Sequence, residues 1–166
     1  MTDVHSKAVR SKNMAAIKSR NTGPEMIIRK LLHSLGFRFR LHNKKLPGTP
    51  DITLPKYKTL IFINGCFWHK HDCELFKLPK SRSLFWSEKL RTNKQRDVLN
   101  INKLLSLGWK IIIIWECSLK GRSKLPLEYI GERLVYEINH PNTLDRIVSI
   151  DTVIKGGTNN STKRFL

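Results

Sequence analysis

The chain has 166 residues, with 31 Lys or Arg against 13 Asp or Glu, a formal net charge of +18. One domain of this length buries roughly 68–70% of its unfolded surface, enough for a hydrophobic core, and so large a positive charge calls for a polyanionic partner, nucleic acid first. The sequence lacks the roughly 20-residue apolar run of a membrane span and the apolar core of a signal peptide, and its three cysteines suit no disulfide framework, so the expected setting is the reducing cell interior.

Residues 1–20 place Lys7, Arg10, Lys12, Lys18 and Arg20 around Met14, Ala15, Ala16 and Ile17 and read as a basic N-terminal arm or weak helix. Thr22 and Glu25 have the spacing of a capping box. Ile27, Ile28, Leu31, Leu32 and Leu35 then recur at helical spacing until Gly36 stops the helix. Phe37, Phe39 and Leu41 alternate with Arg38, Arg40 and His42, the pattern of a half-buried strand. After a turn at Pro47, Gly48 and Pro50, short strands are expected at 51–54 and 59–63, separated by a turn at 55–58. A polar loop rich in Cys, His and aromatic residues runs from Asn64 to about Arg82. A long helix follows, with Leu90, Ile101, Leu104 and Leu105 as core and Gly108 as its stop. Trp109 to Trp115, with four consecutive isoleucines, reads as a buried central strand, and Pro126 to about Asn139 returns to helical spacing through Ile130, Leu134 and Ile138. The order α-β-β-β-α-β-α implies an α/β fold with a mixed sheet and helices packed on it. The chain thus divides into an arm (1–20), a core domain (21–151) and a tail (152–166).

Cys66, Cys73 and Cys117 belong to one constellation, with His69 and His71 between the first two. Three thiolates and one imidazole make a closed structural Zn²⁺ site. Both histidines are open as the fourth ligand; the Cys66-x-x-His69 spacing favours His69, and if His71 binds instead, His69 is free for chemistry.

Cutting a phosphodiester needs a carboxylate to hold Mg²⁺ and a group to deprotonate water. Asp51, following Pro47-Gly48-Thr49-Pro50 and opening a strand, is the leading carboxylate, although a turn alone would also explain it. His69 is the candidate base because imidazole titrates near neutral pH. Glu25 could supply a second carboxylate, but its capping role explains it equally. Phe67, Trp68 and Trp86 are large rings near the polar loop; exposed rings beside cations can wedge between base pairs. Lys89, Arg91, Asn93, Lys94 and Arg96 follow on the long helix and suit phosphates.

These motifs resemble the very short patch repair (Vsr) family of mismatch endonucleases. Asn64-Gly65-Cys66-Phe67-Trp68-His69-Lys70-His71-Asp72-Cys73 is similar to the family's signature, 46–51 to its metal-binding turn, Trp115-Glu116-Cys117 to its last zinc segment, and Asp3-Val4-His5 with Arg10-Ser11-Lys12-Asn13-Met14 to its opening. The resemblance spans about residues 2–138. It implies a restriction-endonuclease-like fold of the PD-(D/E)XK superfamily and a Mg²⁺-dependent nick 5′ to the T of a T:G mismatch left by 5-methylcytosine deamination. By the same resemblance Asp51 binds Mg²⁺ with the backbone carbonyl of Ile63, and His69 is the base. Cys66, His71, Cys73 and Cys117 hold Zn²⁺. Phe67, Trp68 and Trp86 intercalate, Met14 approaches from the other groove, and Lys89 and Asn93 meet the mismatch. Double-stranded DNA is the implied partner, in a bacterial cytoplasm beside the nucleoid, and a monomer is expected because a nickase that cuts one strand needs only one subunit. A functional link to a cytosine-5 DNA methyltransferase and to mismatch repair proteins is also implied. Asn64 departs from the pattern, since the family usually has a histidine there, and Asn can hydrogen-bond but not shuttle a proton. A catalytically weak or inactive DNA-binding relative, or a restriction-type nuclease cutting paired DNA, is the alternative.

Overall fold

A strand whose side chains are apolar on both faces must be covered on both, and the isoleucine strand organises the fold accordingly. The computed structural model describes residues 6–18 and 20–152. Helices α1 (Lys7–Ala15) and α2 (Gly23–Ser34) lead into strands β1 (Arg40–Leu41), β2 (Ile52–Leu54) and β3 (Thr59–Asn64). The long helix α3 (Ser83–Ser106), strand β4 (Lys110–Trp115), a short α4 (Glu116–Leu119), α5 (Leu127–Asn139) and β5 (Ile147–Ile150) complete the order. The sheet runs β1-β2-β3-β4-β5, antiparallel across β1/β2 and β2/β3 and parallel across β3/β4 and β4/β5. It is the mixed sheet with flanking helices that the sequence implies.

Side chains of β4 alternate between two cores. Ile112 and Ile114 pack with Ile28 and Leu32 of α2 and Ile130, Leu134 and Ile138 of α5. Ile111, Ile113 and Trp115 pack with Ile101 and Leu104 of α3, and this second core includes Cys66 and Cys117. The second core therefore ends at the cysteine cluster. At the opposite end of β4, Lys110 is 1% exposed, and its ammonium donates to Glu137 Oε2 (2.7 Å), to the carbonyls of Glu137 and His140 (2.9 Å each) and to Thr143 Oγ1 (3.0 Å). Full satisfaction of that buried cation is what makes its burial tolerable.

Two expectations change. The strand expected over 37–41 pairs only at Arg40 and Leu41: Phe37 is buried edge-on against Tyr57 and Phe39 is partly buried, but Leu41 is 43% exposed. The alternation marks an extended approach to the core more than a ladder. Strand β4 is buried and interior as expected, but its far edge is covered by a fifth strand, β5, which is short and without a strong pattern of its own and was not expected. The arm is a helix over Lys7–Ala15, capped by the Ser6 hydroxyl accepting from the Val9 amide. Residues 1–5, and the tail beyond Thr152, lie outside the described residues. No helix among the described residues is long and apolar enough to cross a membrane.

Candidate active site and metal centre

The turn before β2 delivers Asp51. Gly48 has φ +73°, and a Cβ there would sit 3.3 Å from the Asn100 side chain and 3.4 Å from the Phe62 ring, so the chain can pass this closely only as glycine. Asp51 then reaches the β3 backbone, where its Oδ2 accepts from the Ile63 amide at 2.7 Å. The register Leu41↔Ile52 places His42 beside Asp51, with the His42 amide donating to the Asp51 carbonyl at 3.1 Å. Glu25, His42 and Asp51 bring one ligand atom each within 4.8 Å of one another. Glu25 is fully engaged as a cap: its oxygens accept from the Asn21 amide (3.1 Å), the Thr22 hydroxyl (3.0 Å) and Arg29 Nη2 (2.7 Å).

Burial pushes the Asp51 carboxyl up to about 6; the Ile63 amide, Arg29 and His69 pull the other way, and Glu25 adds to the rise. Asp51 and His69 both stand at the C-terminal end of β3, Asp51 through its bond to the Ile63 amide and His69 in the loop that follows Asn64. Burial is also the main force holding His42 below its ordinary value, against Glu25 and with help from Arg29 and Arg20.

The raised Asp51 value has a consequence for stability. Below the unfolded value near 4 both states are protonated and the buried carboxyl costs nothing. As pH rises through about 6 the folded state must ionise it, so the stabilising contribution of the neutral form is lost, up to about 3 kcal/mol. Asp51→Asn, which can still accept from Ile63, should therefore stabilise the protein by about 1–3 kcal/mol at pH 8 without added Mg²⁺. The gain should shrink toward pH 4. Urea unfolding at the two pH values checks this, and a variant no more stable than wild type at pH 8 would refute it.

His69 lies just beyond β3, its amide donating to the Gly65 carbonyl at 3.3 Å. Its Nδ1 is 2.5 Å from Asp97 Oδ2, and both side chains are about a quarter exposed. With Nδ1–H given to Asp97, Nε2 is left with its lone pair, the arrangement of an oriented general base. Asp97 was not among the residues read from sequence. A signal existed: Trp86, Lys89, Asn93 and Asp97 recur at helical spacing on one face of α3. That face meets the loop, where Asn93 Nδ2 donates to the Trp68 carbonyl at 3.2 Å. Asn64, the last residue of β3, pairs in register with Trp115.

It is His71, not the His69 favoured by spacing, whose ring joins the sulfurs. Cys66, His71, Cys73 and Cys117 bring four ligand atoms within 4.8 Å of one another. His71 Nδ1 is 3.7 Å from Cys117 Sγ, while Nε2 is 3.4 Å from Asp151 Oδ2, and the ring stacks on Trp115 at 3.9 Å. A ligating histidine held by a carboxylate through its other nitrogen is a common metal-site arrangement. The backbone sets the spacing: the His71 amide donates to the Cys66 carbonyl, and the Cys73 amide to that of His71. Without metal the cluster shares protons. Hydrogen bonding to Cys117 and burial push the Cys66 thiol up, and that same bond, helped by His71, drives the Cys117 sulfur down to about 3. Burial lowers His71, but hydrogen bonds to Asp151, Cys117 and Cys73 outweigh it and raise the ring to about 10. Such coupled protons are the ones a bound metal would displace.

Phe67, Trp68 and Trp86 form one half-buried cluster, with centroids 5.1 Å (Phe67–Trp68), 5.4 Å (Phe67–Trp86) and 6.2 Å (Trp68–Trp86) apart. Lys89 stands 5.8 Å from the Trp86 ring. Met14 is exposed on α1.

Residues 2–75 match the family model described as DNA mismatch endonuclease Vsr. The chain is 49% identical over 134 residues to the DNA mismatch endonuclease Vsr of Escherichia coli, covering 81% of this chain and 86% of that protein. It is 47% identical over 125 residues to the type II nicking enzyme V.XorIIP of Xanthomonas oryzae pv. oryzae, covering 75% and 92%. It is also 46% identical over 123 residues to the type II nicking enzyme V.NmeAIP of Neisseria meningitidis serogroup A, covering 74% and 88%.

Proposed function

Since this chain belongs to the DNA mismatch endonuclease Vsr family, we propose that it nicks double-stranded DNA 5′ to the T of a T:G mismatch by Mg²⁺-dependent hydrolysis. The observation that carries this reading is the oriented His69–Asp97 pair, in the loop that also carries Phe67 and Trp68, with Asp51 bonded to the Ile63 amide on the strand that leads into that loop. Asp51 Oδ1 and the Ile63 carbonyl are the oxygens that would hold Mg²⁺, with Glu25 behind them. An all-oxygen donor set fits this hard ion. When bound, Mg²⁺ supplies positive charge at the scissile phosphate. His69 Nε2 takes the proton of the attacking water, and Asp97 fixes the tautomer and rotation of the ring. Asn64, at the end of β3, would offer a hydrogen bond to the phosphate.

Cys66, His71, Cys73 and Cys117 would hold Zn²⁺; three sulfurs and one nitrogen, with Asp151 on the far side of the ring, suit a closed structural site. The core domain of 21–151 acts as a monomer, with 1–20 as an arm and 152–166 as a tail. Phe67, Trp68 and Trp86 enter the base stack at the mismatch, Met14 comes from the other groove, and Lys89 and Asn93 contact the flanking backbone and bases. A bacterial cytoplasm beside the nucleoid, and a functional link to a cytosine-5 DNA methyltransferase and mismatch repair proteins, go with that role.

A panel of duplexes differing only in one base pair tests it. The wild type should nick the T:G duplex on the T strand and spare the paired one. Phe67→Ala with Trp68→Ala should lose about 1–3 kcal/mol of that discrimination, or roughly 5- to 150-fold. Equal cleavage of paired DNA by the wild type would overturn the reading, and unchanged discrimination in the double variant would remove the wedge.

A further inference from the structure

Arg29 sits where a metal bridging Glu25 and His42 would sit. Its Nη2 donates to Glu25 Oε2 at 2.7 Å and lies 2.8 Å from His42 Nε2, and its Nη1 donates to Asn21 Oδ1 at 2.6 Å. A guanidinium has donors and no acceptor, so His42 Nε2 is the acceptor and the ring proton is on Nδ1. That nitrogen faces Asp51 Oδ1 at 3.9 Å. The cluster of Glu25, His42 and Asp51 thus contains the donors of a mixed nitrogen–oxygen metal site, with the imidazole lone pair already engaged by an internal cation. Little solvent competes for these contacts, because the Arg29, Glu25 and His42 side chains are 11%, 4% and 16% exposed. The buried Arg29 Nε has no partner among the described residues; the guanidinium is held by its two terminal nitrogens although one donor goes unmade.

We propose that Arg29 is a resident cation that keeps His42 and Glu25 out of the metal's coordination, so that the divalent ion at Asp51 meets oxygen donors alone. This rests on the assignment of Asp51 as the metal ligand. The chemical consequence is selectivity. Oxygen donors suit Mg²⁺ and Mn²⁺, whereas an available imidazole favours later transition metals such as Ni²⁺. Arg29 would then be a specificity-determining residue for the metal, acting through His42. Removing the guanidinium frees the Nε2 lone pair and turns the cluster into a His/Glu/Asp site.

The test is direct metal binding to the zinc-loaded protein, by calorimetric titration with Mn²⁺ and separately with Ni²⁺, with zinc content checked afterwards. Arg29→Met should raise the Ni²⁺ to Mn²⁺ affinity ratio by about tenfold or more, and Arg29→Met with His42→Gln should return it to the wild-type value. His42→Gln alone should leave both affinities unchanged. A ratio that does not move in folded Arg29→Met would overturn the proposal. So would a roughly tenfold loss of Ni²⁺ affinity in His42→Gln alone, which needs no change at Arg29 and would mean the imidazole is already a ligand. Asp51→Asn separates the two levels: unchanged Mn²⁺ affinity there would remove Asp51 as the metal ligand, whereas a His42-dependent gain in Arg29→Met would still stand.

Discussion

If the Cys66, His71, Cys73 and Cys117 cluster holds Zn²⁺ as proposed, stripping the metal should lower stability by at least about 5 kcal/mol, which for a chain of this length is about 10–20 °C in Tm. The magnitude follows from two scales. Structural Zn²⁺ contributes about 10–16 kcal/mol of apparent binding energy, while a domain's whole stability is about 5–15 kcal/mol. The loss is less than complete because the cluster keeps contacts of its own without metal, with His71 stacked on Trp115 and its Nε2 3.4 Å from Asp151 Oδ2. Location also matters. Cys66 and Cys117 are buried in the core that β4 shares with α3, so the cluster joins the loop after β3 to the segment after β4. Thermal unfolding of chelator-treated protein, with metal loss verified, measures the effect, and Cys117→Ser should reproduce it. A metal-free protein melting at the wild-type temperature would show that the cluster does not hold the fold.

His69→Ala should reduce single-turnover nicking by about 10²–10⁴-fold, while binding to a T:G duplex stays near wild type. The ring is about a quarter exposed and lies outside the apolar cores, so its loss should leave the fold intact. Asp97→Asn should act in the same direction, by about 10–10²-fold, because an amide neither carries charge nor fixes which imidazole nitrogen holds the proton. The two effects should not add: once His69 is gone, Asp97 has nothing to orient. If the double variant is slower than His69→Ala by the full Asp97 factor, Asp97 acts elsewhere.

What could be read from sequence followed local spacing. Helix α2 was legible because Thr22 and Glu25 form both halves of its capping box and Ile28, Leu31 and Leu32 keep one inward face, although Ile27 and Leu35 are exposed. Strand β4 was legible because only a doubly covered strand tolerates four isoleucines in a row. The cysteine cluster was legible as a set, but its histidine was not legible from spacing. His69 and His71 are two residues apart, and only the turn after β3 decides which ring reaches the sulfurs. Strand β5 has four residues and gains its place by pairing with β4, which no local pattern announces. Asp97 could have been found by following the face of α3 from Trp86. Arg29 and His42 could not, because their meeting depends on the register that sets β1 beside β2 and on the packing of α2 over that edge.

The proposed mechanism gives two groups separable tasks, Asp51 for the divalent ion and His69 for the proton. Mn²⁺ affinity and nicking rate, measured side by side in Asp51→Asn and His69→Ala, test it most directly. Asp51→Asn should lose both together, whereas His69→Ala should keep wild-type Mn²⁺ affinity and lose only the rate. A His69→Ala variant that nicks at the wild-type rate, or one that loses the metal along with activity, would contradict the division of labour.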